Sequence, residues 1–254
     1  MLQTWKRSGC GGIFNKRLAL GKRAAFYFYM SQQYKYFLPI GVFFVAALMI
    51  SNTVAGKLIQ IGSFTFSGAI IIFPISYIFG DIMTEVYGYR ASRKIIWLGF
   101  GSLVLMSLFY FIVQLLPPAS FWPYQQAFVS ILGVVPRLVL ASIVGYFCGE
   151  FSNSFILSKM KIFTNGKYLW TRTIGSTIVG EGVDTILFAL IGFLGVVSLI
   201  QLPRLIISGY LFKVLYEVAA TPLTYYIVKK LKQTEGVDMY DRGVKYNPFV
   251  ISES

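Results

Sequence analysis

Five ionisable side chains fall inside apolar runs of this chain: Arg137, Glu181, Asp184, Lys213 and Glu217. A charge near the centre of a bilayer costs roughly 2.5–3.5 kcal/mol on insertion scales, so together they oppose insertion by on the order of 10 kcal/mol. Residues three or four apart share one face of a helix. Thr177, Glu181 and Asp184 therefore form one stripe, and Lys213 and Glu217 another. Turning these stripes and Arg137 toward one another keeps them out of lipid and encloses a polar cavity. Two positive and three negative charges leave one carboxylate unmatched, open to a proton or to a cationic, donor-rich ligand. In the competing reading the groups only neutralise one another and hold helices in register. Lys213 and Glu217 can do so at i,i+4. Glu181 and Asp184 repel and need outside partners, for which Arg137 is a candidate. Asp81 and Glu85 are a further i,i+4 pair, followed at once by Arg90, Arg93 and Lys94, with which they can form an interfacial anchor.

The elements that carry these groups follow from the apolar runs. Of 254 residues, 56% are hydrophobic and 13% charged, too few charges to cover a water-soluble surface. A span needs about 20 apolar residues. Stretches of that kind predict six transmembrane helices at about 36–56, 68–87, 95–116, 127–149, 175–200 and 205–228, with Pro117 and Pro118 turning the chain between the third and fourth. The expected fold is an all-α membrane protein. Basic residues collect in the N-terminal segment, the second and fourth loops and the tail, against only Lys57 and Arg204 in the first and fifth loops. By the positive-inside rule both termini are cytoplasmic. The domains are a basic segment at 1–35, the six-helix domain at 36–230 and a cytoplasmic tail at 231–254. Residues 1–35 hold no acid and no long apolar core, so they are not a secretory signal; they read as a lipid-attracted basic arm or as sequence preceding a start at Met30. Ala141 and Gly145 form a small-xxx-small pair suited to close helix contact.

Several chemistries are excluded. The chain has no histidine, so Ser/His dyads, His-ligated haem and histidine-bearing metal sites would need another subunit. Cys10 and Cys148 are far apart and make no disulfide framework. The net charge of +13 is spread over loops rather than gathered on a soluble face, which argues against nucleic-acid binding. Paired carboxylates without a nucleophile motif or a metal-ligand cluster do not make an enzyme. No Walker motif is present, so any coupling to ATP must come from other chains.

Residues 73–88, with Asp81 and Glu85, then Arg137, Gly149, Glu150 and Asn153, then Ser176, Thr177, Gly180, Glu181, Asp184 and Thr185, and finally Phe212 and Lys213 resemble the queuosine precursor transporter family, also called the vitamin uptake transporter family. The resemblance covers roughly residues 36–230. It implies a six-helix inner-membrane importer of 7-deazaguanine bases, the cyano and aminomethyl precursors or queuine, acting as a secondary transporter or facilitator without a cofactor. Taken with the charged stripes, it leads to the expectation that substrate contacts come from Asp184, Glu181, Thr177, Ser176, Arg137, Lys213, Asp81, Glu85, Asn153 and Glu217. The alternative is the substrate-binding membrane subunit of an energy-coupling-factor transporter. The expected partners are the nucleobase and the lipid bilayer, with a homodimer left open. A guanine-like base suits buried acids among aromatics, because its adjacent N–H donors meet carboxylate oxygens and its faces stack on rings.

Overall fold

The computed structural model describes residues 34–241 together with 243, 244, 246, 247 and 249. The basic segment before Tyr34, and with it the alternative start at Met30, lies outside the described residues. The polarity is inside out relative to a water-soluble protein. Phe43, Leu105, Phe109, Leu215 and Val218 are exposed, whereas Asn52, Asp81, Glu85, Glu150, Asn153 and Glu181 are each at most 1% accessible. Such a surface suits lipid, and the polar groups have been withdrawn into the bundle.

Helix α1 (Phe37–Val54) is uncharged and leads into a hairpin of β1 (Leu58–Ile61) and β2 (Phe64–Ser67), turned by Gly62 and Ser63. The hairpin falls in the stretch before about Gly68, which the sequence leaves outside the second helix. A 3-10 turn, Gly68–Ile71, follows, capped by Ser67, whose hydroxyl accepts from Ala69 N. Gly68 lies so close to the end of α1 that a Cβ there would sit 2.5 Å from the Val54 carbonyl oxygen. Helix α2 (Phe73–Tyr87) starts with Pro74 in its first turn and is buried almost all round. It meets α3 (Tyr89–Leu115) at Gly88, whose φ of +85° is open chiefly to glycine. The first amide of α3 is capped from the tail, because Tyr89 N donates to Asp241 Oδ1 at 3.1 Å and Oδ2 at 3.0 Å.

The single fourth helix expected at 127–149 is corrected by the structure. It is broken into α4 (Gln125–Leu132) and α5 (Val135–Phe163) at Gly133 and Val134. Pro136, which cannot donate to the preceding turn, starts the second piece. Helices α6 (Leu169–Phe193) and α7 (Gln201–Glu235) complete the bundle; α6 begins earlier, and α7 ends later, than the apolar runs alone indicate. Lys159, Lys161 and Arg172, assigned to a loop by their charge, are helical. Among the described residues five helical segments are long and apolar enough to cross a membrane: α1, α3, α4 with α5, α6 and α7. Tyr36 N donates to Glu235 Oε1 at 2.6 Å and Tyr87 Oη to the same oxygen at 3.4 Å, so the start of α1 and the ends of α2 and α7 meet at one end of the bundle.

Helices α5 and α6 approach closely along small residues. A Cβ on Gly149 would lie 2.6 Å from the Gly180 carbonyl oxygen, and one on Gly180 would lie 2.7 Å from Asn153 Cβ. The pair Ala141 and Gly145 belongs to this same seam, where Gly145 faces Asp184 and Ala141 faces Gly192. Gly149→Ala and Gly180→Ala should each destabilise the protein by about 1–3 kcal/mol, because backbone rather than a flexible side chain must move. Gly101→Ala, in open space on α3, should be neutral or mildly stabilising. Thermal unfolding in detergent measures both.

Candidate functional site

Lys213 on α7 is the centre of the first buried cluster. Its Nζ lies 2.8 Å from Asp184 Oδ2, 2.8 Å from Glu181 Oε2 and 3.1 Å from Thr185 Oγ1, all on α6, and 4.3 Å from the centre of the Phe73 ring. The two acids that repel along one helix are thus bridged by one ammonium, which donates to Asp184 Oδ2 and Thr185 Oγ1 and pairs by charge with Glu181 Oε2. Two expectations are corrected here. Lys213 does not pair with Glu217 on its own helix, because the two α6 acids are better placed. Nor does Arg137 face the acids: it begins α5 near the bundle's edge, is exposed, and donates to Ile191 O at 2.8 Å and Leu194 O at 2.5 Å. These are the free carbonyls at the end of α6, where a cation also suits the helix dipole. The break at Gly133 put Arg137 at a helix start instead of at mid-depth.

A cavity adjoins Lys213 on the side of the hairpin, with about 540 Å³ of empty space including its mouth. Phe73 and Phe188 line it, with Asn52, Ser142, Asp184 and Thr185. Asp184 Oδ1 and Asn52 Oδ1 are buried there without a hydrogen-bond partner, while Asn52 Nδ2 is held by the Leu48 carbonyl oxygen at 3.0 Å. Two acceptor oxygens therefore border a cavity flanked by aromatic rings, an arrangement that takes a flat molecule with N–H donors. Asn52, Ser142 and Phe188 were not singled out from sequence, since an Asn or Ser in an apolar run carries no charge to mark it.

Other predicted residues lie deeper. Thr177 Oγ1 is buried without a partner, and Ser176 Oγ donates to its own helix at Thr173 O, 3.0 Å away. Asn153 Nδ2 donates to Asp81 Oδ1 at 2.7 Å. Glu150, in the motif but not chosen as a site residue, accepts from Ser154 Oγ at 3.3 Å. Glu217 Oε1 has no partner. None of these six borders the cavity beside Lys213.

At the Glu235 end, Glu85 gathers cations from three helices. Arg172 NH1 lies 2.5 Å from its Oε2, Lys232 Nζ 2.6 Å and Lys161 Nζ 3.5 Å from its Oε1. The expected partners Arg90, Arg93 and Lys94 are replaced because α5, α6 and α7 converge on this end of α2. Arg93 instead donates to Asn247 O at 2.7 Å. Asp238 bridges Lys161 at 2.7 Å and Lys232 at 2.9 Å. Partial burial would raise the pKa of Asp238, but the two ammoniums hold it below the usual carboxylate value. Its contribution to stability is therefore present above the ordinary carboxylate pKa and lost as pH falls through the lowered one.

The fold and this arrangement of buried charges describe a multi-pass membrane transporter. Residues 67–227, more than half of the chain, match the family described as "Putative vitamin uptake transporter", and the chain belongs to that family. A Bacillus subtilis (strain 168) protein named "Probable queuosine precursor transporter" is 28% identical over 205 residues, covering 80% of this chain and 90% of that relative. No solved structure matches. The family is one of transporters, not enzymes.

Glu85→Gln should cost about 3–5 kcal/mol, because it strands the buried guanidinium of Arg172, while Lys161 and Lys232 keep Asp238 as a partner. Asp238→Asn, at a half-exposed position, should cost less than about 1 kcal/mol. Melting temperatures of the two purified variants in detergent test the contrast.

Proposed function

We propose that this chain imports queuosine precursors, 7-deazaguanine bases, across the inner membrane as a secondary transporter or facilitator that needs no nucleotide-hydrolysing partner. The observation that carries this reading is the pair of buried, unpartnered acceptors Asp184 Oδ1 and Asn52 Oδ1 beside Phe73 and Phe188. A 7-deazaguanine keeps the ring N–H and amino group of guanine side by side, so it brings donors to acceptors, and its ring system stacks on aromatic faces. The name of the Bacillus subtilis relative, a probable queuosine precursor transporter, agrees with this substrate class. Lys213 neutralises Asp184 and keeps it an acceptor, Glu181 shares that cation, and Thr177 lies on the same stripe. Asp81, Glu85, Asn153, Glu217 and Ser176 act behind the pocket rather than on the base.

The same proposal includes six crossings with both ends in the cytoplasm. Helix α2 and the 3-10 turn before it together rise about 30 Å, enough for the hydrocarbon core. The cation-rich Glu85 end then faces the cytoplasm, in line with the distribution of Lys and Arg. A reporter that matures only in the cytoplasm should be active when fused after Ser254 and inactive when inserted beside Trp122. Activity at Trp122 would refute the topology.

Asp184→Asn aims an amide donor at the donors of the base and should cost about 1–3 kcal/mol, a tenfold to hundredfold rise in half-saturating concentration. Arg137→Gln, away from the cavity, should change uptake by no more than about twofold. Both are read as uptake of labelled base into vesicles containing only this protein, and as queuosine in tRNA of a host that cannot make the precursor. Normal uptake by Asp184→Asn at limiting substrate would remove Asp184 from the site; absence of uptake by the parent alone would favour a subunit of an energy-coupled complex.

A further inference from the structure

Between the Lys213 cluster and the Glu85 cluster lie three carboxylates, Asp81 on α2, Glu150 on α5 and Glu217 on α7. Each is at most 3% accessible, and among the described residues none has a cation within salt-bridge distance. Asp81 accepts from Asn153 on α5 and lies within electrostatic range of Glu85 on its own helix, Glu150 on α5 and Glu217 on α7. Glu150 accepts from Ser154 on its own helix and lies within electrostatic range of Tyr146 there and of Glu181 and Asp184 on α6. The neighbours are thus mainly further acids. Desolvation and mutual repulsion both oppose ionising the three together.

The free oxygens indicate what resolves this. Asp81 Oδ2, Glu150 Oε2 and Glu217 Oε1 are buried with no donor, and Asn153 Oδ1, which lies against Asp81, has none either. A carboxylic acid supplies the donor that a carboxylate lacks. A second observation lies outside the acids. Tyr77 Oη is buried without a partner, 2.8 Å from where a Cβ of Gly149 would stand, and that same point is 2.7 Å from Asp184 Cβ. Because residue 149 is glycine, there is room for the Tyr77 hydroxyl at the seam between α5 and α6, on the side of Asp184. Gly80 likewise leaves room for Glu150 to lie against α2. Among the described residues no three acids are close enough to hold one metal ion, whereas a proton requires only one oxygen.

We propose that Asp81, Glu150 and Glu217 are a proton-binding set of carboxylates, and that a proton held there crosses together with the substrate base. Binding a proton converts one carboxylate to a carboxylic acid, and its release restores the carboxylate. Nothing is oxidised. The inference rests on the transport reading above for its substrate, but the protonated acids can be detected without one.

The test has two parts. First, infrared spectra of the purified protein in detergent at neutral pH should contain the C=O band of protonated carboxyl groups, reduced in Glu150→Gln and in Glu217→Gln. A parent without that band overturns proton binding by these acids whatever the substrate. Second, sodium-free liposomes with clamped membrane potential are given labelled 7-deazaguanine base. With the interior one pH unit more alkaline, the parent should concentrate the base up to about tenfold per coupled proton, and a protonophore should abolish this. Glu150→Gln should let label equilibrate but hold the concentration ratio near one, with Glu217→Gln as the second variant should Glu150→Gln fail to insert. Equilibration in the parent with no response to the pH gradient overturns proton coupling, as does full accumulation by both variants. Failure of the parent to equilibrate label at all instead counts against the transport reading.

Discussion

The arrangement depends on Lys213, one ammonium shared by two acids of the neighbouring helix. Glu181 and Asp184 repel along α6, and neither could be left charged in so dry a place without a cation. By reaching 2.8 Å from both, Lys213 fixes the rotation of α7 against α6 and turns the polar stripe of each helix inward. Asp184 keeps one oxygen free, and that oxygen borders the cavity. The cation both offsets one of the pair's two negative charges and aims the remaining acceptor.

Glycines decide what else can share this space. The approach of α5 to α6 through Gly149 and Gly180 brings backbone to backbone, where any side chain would force the helices apart. Room is left beside the seam for Tyr77, Glu150 and Asn153 to meet Asp184 and Asp81. Acids from α2, α5, α6 and α7 thereby run from the cavity to the Glu235 end. The bundle's two ends are built differently. Near the hairpin the cavity is bordered by Phe73, Phe188 and Ser67. At the other end Glu85 ties α2 to Arg172, Lys161 and Lys232, and Asp238 and Asp241 fasten the tail over it.

How much could be read beforehand differs by feature. Helical periodicity is local, so the inward stripe of Thr177, Glu181 and Asp184 was legible from spacing, as was the need of the two acids for an outside partner. The length of the apolar runs determined the membrane class and most helix positions. Identity of the partners depended on which helices lie side by side. Lys213 was assigned the nearest acid on its own helix, Glu217, yet binds Glu181 and Asp184; Arg137 was given a place at mid-depth, but a helix break put it at the end of α6. Glu85 was matched to Arg90, Arg93 and Lys94 by proximity in sequence, and takes cations from three other helices instead. Asn52 and Tyr77 drew no notice, since a neutral polar side chain in an apolar run satisfies itself as often as not. The sequence by itself determined a lipid-facing bundle with ionisable stripes turned inward, because hydrophobic length and helical period are properties of a single segment. Only the tertiary structure decided which charges meet and which oxygens stay free, because these depend on the crossing and rotation of helices far apart in the chain.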